Sequence, residues 1–457
     1  MSSQRLGLHR NWSSIHLLVR LLPIIFFQLY LWLTTILFVY GPWPWPVENP
    51  LELYSFLFAA HFSLGLGYLS GFIGKSSVAG SNKSDFKTLV SFSIILSVIL
   101  YLPTVYSRTG FFVPDIYYGV TNAGDAYANA VDLSISGGEF VYVEYVRILV
   151  APITALAVPV IMINWGVWSK GYRLMAVVLM ISSVALYMAM GTNKAVADLA
   201  ITLPWLILLG YFSRGIRITK TGWFRVVSVC FILLIVVGVF FSIGQAQRSG
   251  SGVVTGSFGS PLYILTNRDQ LYFEVLPTPL AVFYEAITRY ICQGYYALSL
   301  ALKFPFDSTY GFGHSMFLLG NVVNINGLEG LMAHSYPARL EVYHGWGMYE
   351  LWHSGYVWIA SDVGFFGALL VVFFIGRWLC LSWRDVITVR DPRASVAFYF
   401  LVVALFYIPA NNQVMQNGET FFAFYCTLVW WLLRRNGIVL WKRRTVHRKT
   451  DRNGSEE

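Results

Sequence analysis

Long apolar runs alternate with short polar or basic segments along most of the chain. Runs of about 20 residues are long enough to cross the hydrocarbon core of a bilayer as α-helices. The first run is too long for the apolar core of a signal peptide, and the sequence "FVYGPWPWP" at its end offers no small-residue cleavage site. The pattern predicts ten membrane-spanning helices, at residues 17–40, 52–74, 87–105, 146–168, 174–190, 195–213, 224–243, 355–376, 394–410 and 415–433.

Basic residues divide unevenly between the two sets of loops that this helix count creates. With the N-terminus placed inside, 24 of the 32 Lys and Arg residues fall in inner segments. Cytoplasmic segments carry such an excess, so the bias supports ten spans with the N- and C-termini in the cytoplasm. The basic tail would then lie against anionic membrane lipids, which explains the net charge of +9 without nucleic-acid binding.

The composition changes the picture by excluding whole classes of protein. Hydrophobic residues make up 56% of the chain and charged residues 12%, about half the charged share of a soluble domain. Soluble, disordered, collagen-like and disulfide-scaffold proteins are therefore excluded. Of the four cysteines only Cys292 falls in an outer segment, so we expect no structural disulfide within the chain. The predicted fold class is an all-α, polytopic integral membrane protein.

Four regions follow from this organisation. A bundle of seven helices, residues 1–243 with an outer loop at 106–145, precedes a large extracytoplasmic region at 244–354. Three C-terminal membrane helices at 355–433 and a basic cytoplasmic tail at 434–457 complete the chain. The outer region is far longer than an ordinary connection, and loops of that length are usually functional or disordered.

The stretch 280–302 argues against disorder in the outer region. Its apolar side chains recur at helical spacing, which predicts an amphipathic or re-entrant helix. The alternative is an eleventh span. Glu285, Arg289 and Gln293 in mid-segment disfavour that alternative, and one more crossing would move the following basic segments to the outside.

Charged residues at membrane depth or on the outer side are the first candidates for a function, because burial of charge is costly there. Lys194 lies in "MGTNKAVADLA", a tight break between two apolar runs. Two interpretations remain open. Lys194 either pairs with Asp198 four residues later, or it guards a cavity that opens outward.

Arginines in the outer region need their own explanation, because most basic residues stay inside. Arg248 is followed by glycines that would let backbone amides approach an anion, whereas Arg268 suits a loop residue satisfied by Asp269. Arg289 either pairs with Glu285 within its helix or faces a sugar phosphate. The second interpretation is suggested by aromatic neighbours that could stack on sugar rings, Tyr290, Tyr295 and Tyr296.

Histidines are the natural candidates for a general base. His314 in "YGFGHSM" and His353 just before the eighth span are the strongest of the four in the outer region, although a scattered histidine also suits an interface or loop role. Asp362, at the start of that span, is either a base or a salt-bridge partner. No HExxH, CxxC, P-loop or dinucleotide-binding pattern occurs, so we expect no metal and no cofactor.

Three stretches resemble the oligosaccharide repeat-unit polymerases of bacterial surface polysaccharides, the Wzy-type O-antigen and capsule polymerases. They are "YICQGYYALSLALKFPFDSTYGFGHSMF" (290–317), "HSGYVWIASDVGFFGALLVVFFIGR" (353–377) and "MGTNKAVADLAI" (190–201). The large outer region before the last three spans is similar as well. Arg248 and Gly259 also fit the R-x10-G pattern of the family's outer loops.

The resemblance implies glycosyl transfer on the outer face of the bacterial plasma (inner) membrane. The substrate would be an undecaprenyl-diphosphate-linked oligosaccharide, polymerised into O-antigen, capsule or exopolysaccharide. A chain-length regulator protein is an implied partner. Two alternatives stay open, an O-antigen ligase-like transferase and a polytopic exporter of lipid-linked saccharides, although the polar residues cluster on one side rather than at the midplane of a transporter.

The expected mechanism assigns three roles. His314, His353 or a carboxylate such as Glu341 would take the proton of the acceptor hydroxyl, with Asp362 as a further base or as a salt-bridge partner. The three tyrosines named above would bind sugar rings. The diphosphate leaving group would be neutralised by a set of outer cations, Lys194, Arg248, Arg289 and Arg339.

Overall fold

The computed structural model describes residues 11–73, 83–135, 141–216 and 256–438, with isolated positions between 219 and 238. The described chain is almost entirely helical, as the apolar runs predict. Its helices are α1 (Leu17–Tyr40), α2 (Pro50–Ile73), α3 (Lys83–Thr109), α4 (Ile116–Thr121), α5 (Ala123–Ile135), α6 (Val141–Thr154), α7 (Ala157–Ile163), α8 (Lys170–Ala189), α9 (Lys194–Ser213), α10 (Leu271–Val275), α11 (Thr278–Ala301), α12 (Met316–Asn326), α13 (Glu329–His334), α14 (Tyr336–His344), α15 (Gly355–Val389), α16 (Pro392–Tyr407) and α17 (Gly418–Arg435).

Short elements complete the described chain. Single 3-10 turns occur at Trp12–Ser14 and Gln413–Met415. Two short strands, β1 (Ser257–Phe258) and β2 (Ile264–Leu265), pair antiparallel in the outer region. This hairpin is the only sheet within the described ranges.

Within the described residues, seven helices are long and apolar enough to cross a membrane. They agree in position with seven of the ten predicted spans. The predicted span 394–410 forms the shorter helix α16, and the predicted span 415–433 forms α17, which carries three charged residues. The predicted span 224–243 lies outside the described residues except for isolated positions. The seven helices are Leu17–Tyr40, Pro50–Ile73, Phe86–Thr109, Val141–Ile163, Lys170–Ala189, Lys194–Ser213 and Gly355–Val389.

Helices α2 and α15 pack closely because glycines line their contact. A Cβ atom on Gly67 would lie 1.9 Å from the carbonyl oxygen of Phe373, and one on Gly376 would lie 2.2 Å from that of Leu64. Such small residues let two helix backbones approach each other, a common device in membrane bundles. This contact forms the centre of the bundle and fixes where the N-terminal turns of α15 lie.

Basic residues collect at one end of the bundle, which we call the basic end. Arg377 Nη1 donates to the carbonyl of Ser70 at 3.1 Å, and Arg390 Nε donates to that of Ser213 at 3.0 Å. The C-terminal ends of α2, α9 and α15 therefore meet there. Arg435, the last residue of α17, pairs with Asp385 near the C-terminal end of α15. The N-terminal turns of α9, α15 and α17 consequently lie toward the opposite end.

Helix α11, the helix predicted in the middle of the outer region, lies across that opposite end. Trp43 Nε1 donates to the carbonyl of Glu285 at 2.8 Å, and Asn49 Nδ2 donates to that of Ser299 at 3.0 Å. Both donors belong to the short connection between α1 and α2. Two sites 14 residues apart along α11 are therefore tied to this one connection.

Candidate active site

A glycine-rich loop wraps around the carboxylate of Asp362 in the second turn of α15. The backbone amides of Gly311 and Gly313 donate to Oδ1 at 3.0 and 2.8 Å, and the amide of His314 donates to Oδ2 at 2.8 Å. Gly364, two residues after Asp362, has a φ of 69° and kinks the helix. The kink and the loop together hold a mostly buried carboxylate at the end of the bundle opposite the basic end.

His314 is oriented by this carboxylate. Its Nδ1 lies 2.7 Å from Oδ2 of Asp362, and its Nε2 lies 2.9 Å from the hydroxyl of Tyr425 on α17. Since a carboxylate only accepts hydrogen bonds, Nδ1 carries the proton and Nε2 accepts from the tyrosine hydroxyl. The imidazole side chain is 20% exposed, so a ligand can reach it. An oriented histidine whose Nε2 accepts a hydrogen bond from a hydroxyl is the arrangement of a general base.

Three further contacts fix the loop that carries His314. Thr309 Oγ1 donates to Asp362, and Asn412 Nδ2 donates to the carbonyl of His314 at 2.7 Å. Ser315 Oγ donates to the carbonyl of Met415 at 2.6 Å and also caps the start of α12. The loop is thus attached to α15 and to the 3-10 turn that precedes α17.

The structure brings together two of the three predicted catalytic candidates, His314 and Asp362, and excludes the third from their contact. His353 is 1% exposed, and its Nδ1 lies 2.9 Å from the carbonyl of Leu351. Burial lowers the pKa of His353 to about 3, so its ring is neutral at pH 7 and packed inside the protein. We therefore correct the candidate base at His353 to a buried structural histidine. Glu341 accepts from the amide of Met348 at 3.1 Å.

The predicted sugar-stacking surface is also corrected. Tyr295 is fully buried, with its hydroxyl 2.9 Å from Thr34 Oγ1. Tyr296 is 6% exposed and packs against the rings of Trp45 and Trp346. Their rings are covered by the protein because the C-terminal half of α11 faces the core. Tyr290 is half-buried beside Trp352, with 5.1 Å between ring centroids.

Lys194 forms the predicted pair with Asp198 and also lies beside a cavity. Its Nζ lies 2.8 Å from Oδ2 of Asp198, and both side chains line a cavity of about 330 Å³. The cavity lies between α3, α6, α8, α9 and α17. Its charged lining residues are two cations and two carboxylates, Arg147, Lys194, Asp198 and Glu419. Because these charges balance, Lys194 already has its counter-ion.

A chain of ion pairs beside this cavity was not predicted from the sequence. Arg108 pairs with Glu144 at 2.9 Å, Glu144 pairs with Arg147 at 2.8 Å, and Arg147 pairs with Glu419. The chain links α3, α6 and α17. Arg147 and Glu419 lie within predicted spans, so the rule that intramembrane charges mark important positions could have singled them out.

Arg289 does not form the pair predicted within its helix. The carboxylate of Glu285 instead accepts from Arg268 Nε at 3.2 Å, which also corrects the predicted pairing of Arg268 with its neighbour in the loop. The guanidinium of Arg289 lies 4.1 Å from the ring centroid of Phe258, and its Nη1 donates to the carbonyl of Ser257 at 3.4 Å. These contacts connect α11 to the hairpin.

Arg339 is the second of the predicted diphosphate-binding arginines whose position the structure gives. Its Nη1 donates to the carbonyl of Pro305 at 2.8 Å, and its guanidinium stacks 4.5 Å from the ring centroid of Tyr336. Neither Arg289 nor Arg339 forms a salt bridge with any carboxylate in the described ranges. Arg248, the fourth predicted cation, lies outside the described residues.

The described residues define the class of protein, an all-α membrane protein whose apolar helices are long enough to span a bilayer. Within them, no group of three or more His, Cys, Asp or Glu residues could hold a metal ion. No family model, no curated protein and no solved structure matches this chain. Function is therefore inferred from the site itself.

Proposed function

We propose that the protein is a membrane-embedded glycosyltransferase that polymerises undecaprenyl-diphosphate-linked oligosaccharide repeat units on the outer face of the bacterial plasma membrane. The observation that carries this proposal is the His314 imidazole held between Asp362 and Tyr425. The three residues lie toward the end of the bundle away from the basic end. That end faces outward if the basic end is cytoplasmic.

In the proposed reaction, a sugar hydroxyl of the acceptor hydrogen-bonds to the Tyr425 hydroxyl, which itself donates to Nε2 of His314. As the acceptor oxygen attacks the anomeric carbon of the donor, the acceptor proton passes to the tyrosine oxygen and the tyrosine proton passes to Nε2, and the lipid diphosphate leaves. Asp362 holds the ring in the tautomer that accepts this proton and stabilises the imidazolium that forms. General-base catalysis of this kind contributes about 10²- to 10⁴-fold to the rate.

The leaving diphosphate needs cations that are not already neutralised. Arg289 and Arg339 have no carboxylate partner in the described part of the chain, whereas Lys194 is paired with Asp198. A guanidinium fork binds phosphate oxygens in a bidentate manner, and preorganised charge stabilises a leaving group most where water is scarce. We therefore assign the binding of the diphosphate to Arg289 and Arg339 rather than to Lys194.

An exporter of lipid-linked saccharides is the second candidate, and one observation favours it. Charged side chains line a cavity between helices, as in many transporters. Arg147, Lys194, Asp198 and Glu419 all lie within the first two turns of their helices, however. A transport site is expected near the midplane, so this placement favours the enzyme. An O-antigen ligase-like transferase would use the same chemistry with another acceptor.

The test is the length distribution of surface polysaccharide in a deletion strain complemented with variants. His334 supplies a matched control, because its Nδ1 also lies 2.7 Å from a carboxylate, that of Asp307, but on the surface. We expect wild type and His334→Ala to restore the long ladder, and His314→Ala to leave single repeat units attached. Loss of single-unit attachment would indicate the ligase or the exporter, and an unchanged ladder in the deletion strain would refute the proposal.

A further inference from the structure

Helix α17 connects the ion-pair chain beside the cavity with the candidate active site. Glu419 in its first turn pairs with Arg147, and Tyr425 contacts Nε2 of His314 at 2.9 Å. Six residues separate Glu419 from Tyr425, which places them about 9 Å apart along the axis and about 120° apart around it. One face of α17 thus lines the cavity while another contacts His314.

Both ends of α17 are held, the C-terminal end by Trp431 and Arg435 on Asp385 of α15, and the N-terminal end by packing and by polar contacts of its first turn. A Cβ atom on Gly418 would lie 2.5 Å from the ring of Phe317 and 2.7 Å from Ile148, so the helix presses directly on α12 and α6. Asn417, at the N-cap position, makes no side-chain capping hydrogen bond. Two side chains of the first turn make polar contacts beyond the helix: Thr420 Oγ1 donates to the carbonyl of Val414 at 2.7 Å, and Glu419 forms the ion pair with Arg147.

Arg147 is itself held firmly. Its side chain is 9% exposed, and Nη1 donates to both oxygens of Glu144 at 2.8 and 3.0 Å while Nη2 donates to Glu419. Glu144 in turn accepts from Nε and Nη2 of Arg108, both at 2.9 Å. Such two-point contacts fix direction as well as distance, because the planar guanidinium matches the carboxylate.

We propose that Arg147 is a positioning residue, which sets the rotation of α17 through Glu419 and thereby holds Tyr425 against His314. This inference rests on the proposed function for its effect on activity. Side-chain atoms lie about 5–6 Å from a helix axis, so a rotation of roughly 10° would move Tyr425 by about 1 Å. A displacement of that size at a catalytic contact can lower a rate about 100-fold.

The first test reads the geometry without requiring activity. In protein with ¹⁵N-labelled histidine, reconstituted in lipid nanodiscs, the Nε2 signal of His314 is assigned by its loss in His314→Ala. We expect Arg147→Ala and Glu419→Ala to move this signal toward its position in Tyr425→Phe. Lys303→Ala, which removes an exposed ion pair with Glu48, should leave it unchanged. An unchanged signal in folded Arg147→Ala protein would overturn the proposal.

The second test measures the rate of polymer growth in vesicles supplied with lipid-linked repeat units. We expect Arg147→Ala and Glu419→Ala to lower kcat about 10- to 100-fold with little change in KM. Glu419→Gln should stay within about threefold of wild type, because its amide oxygen still accepts from Arg147. Equal losses in Glu419→Gln and Glu419→Ala would assign the effect to charge and overturn the positioning role.

The two tests separate this proposal from the proposed function. Glu419→Ala keeps the contact between Arg147 and Glu144, so it serves as the second variant if Arg147→Ala does not fold. If no polymer forms even with wild-type protein, the glycosyltransferase proposal fails while the His314 signal still decides the positioning role. If polymer forms and the signal does not respond, only the positioning role fails.

Discussion

Replacing Asp362 with asparagine tests the centre of the proposed site. The carboxylate receives hydrogen bonds from Thr309, from the amides of Gly311, Gly313 and His314, and from Nδ1 of His314. Asparagine keeps the shape of the side chain, but its NH₂ group cannot accept hydrogen bonds. In one orientation the NH₂ group faces the three donors to Oδ1, and in the other it faces the two donors to Oδ2, so two or three hydrogen bonds are lost either way.

The structure sets the size of the effect. Hydrogen bonds to a charged acceptor contribute about 1.5–3 kcal/mol each, so losing two of them should destabilise the protein by roughly 3–5 kcal/mol. The imidazole also loses the partner that fixes its tautomer. For an oriented histidine base that loss lowers the rate by about 10³-fold or more. Thr309→Val, which removes one donor to the same carboxylate, should cost only about 1.5–3 kcal/mol and change the rate little.

Polymer growth in vesicles and thermal unfolding in detergent measure the two quantities separately. At a temperature where both variants remain folded, Asp362→Asn should form almost no polymer while Thr309→Val forms nearly as much as wild type. Near-normal growth by folded Asp362→Asn would show that the orientation of His314 is not needed, and the assignment of His314 as the base would be wrong.

Three further predictions concern the stability of the fold, each measured by unfolding in detergent. Gly67→Ala should destabilise the bundle by more than about 2 kcal/mol, because the added Cβ meets the backbone of α15. Gly320→Ala, with open space around its Cβ, should be neutral or slightly stabilising. Equal effects of the two substitutions would contradict the close packing of α2 on α15. Glu285→Gln should lower the free energy of unfolding by about 3 kcal/mol or more, since it leaves Arg268 beside a buried neutral group. Removing the exposed carboxylate of Glu48 should lower it by less than about 1 kcal/mol. A small effect of Glu285→Gln would show that the carboxylate is not needed for stability. Burial lowers the pKa of His353 to about 3 from its ordinary 6.5, so between these pH values the unfolded chain binds a proton that the folded protein does not. The free energy of unfolding should therefore be highest above about pH 6.5 and fall by about 2–3 kcal/mol by pH 4.5. His353→Asn should show a smaller fall over the same range. The same pH slope in wild type and His353→Asn would place the proton elsewhere.

Local pattern was enough to predict most of the helices. The apolar run at 17–40 forms α1 with the same bounds, and the helical spacing at 280–302 appears as α11. In a membrane-spanning helix the backbone groups hydrogen-bond within the same segment, and its apolar side chains face lipid or other helices. Both properties depend on residues close together in the chain, so the composition and periodicity of a segment predict the helix. The last two helices, α16 and α17, lie where the sequence predicts them, although α16 is shorter and α17 is more charged than the seven long apolar helices.

The candidate site depended on contacts that no local pattern contains. Of the polar residues singled out in the sequence, His314 and Asp362 meet across 48 positions, whereas His353 and Tyr295 are buried in the core. Arg147 reaches Glu419 across 272 positions.

The amino-acid sequence by itself determined that this chain is an all-α membrane protein and approximately where its long apolar helices lie, because those properties depend on residues close together in the chain. The tertiary structure decided which charges are neutralised, which aromatic rings are covered and which histidine receives a carboxylate. Glycine contacts and a kink in α15 set those pairings, and their effect on distant residues exists only once the helices have packed.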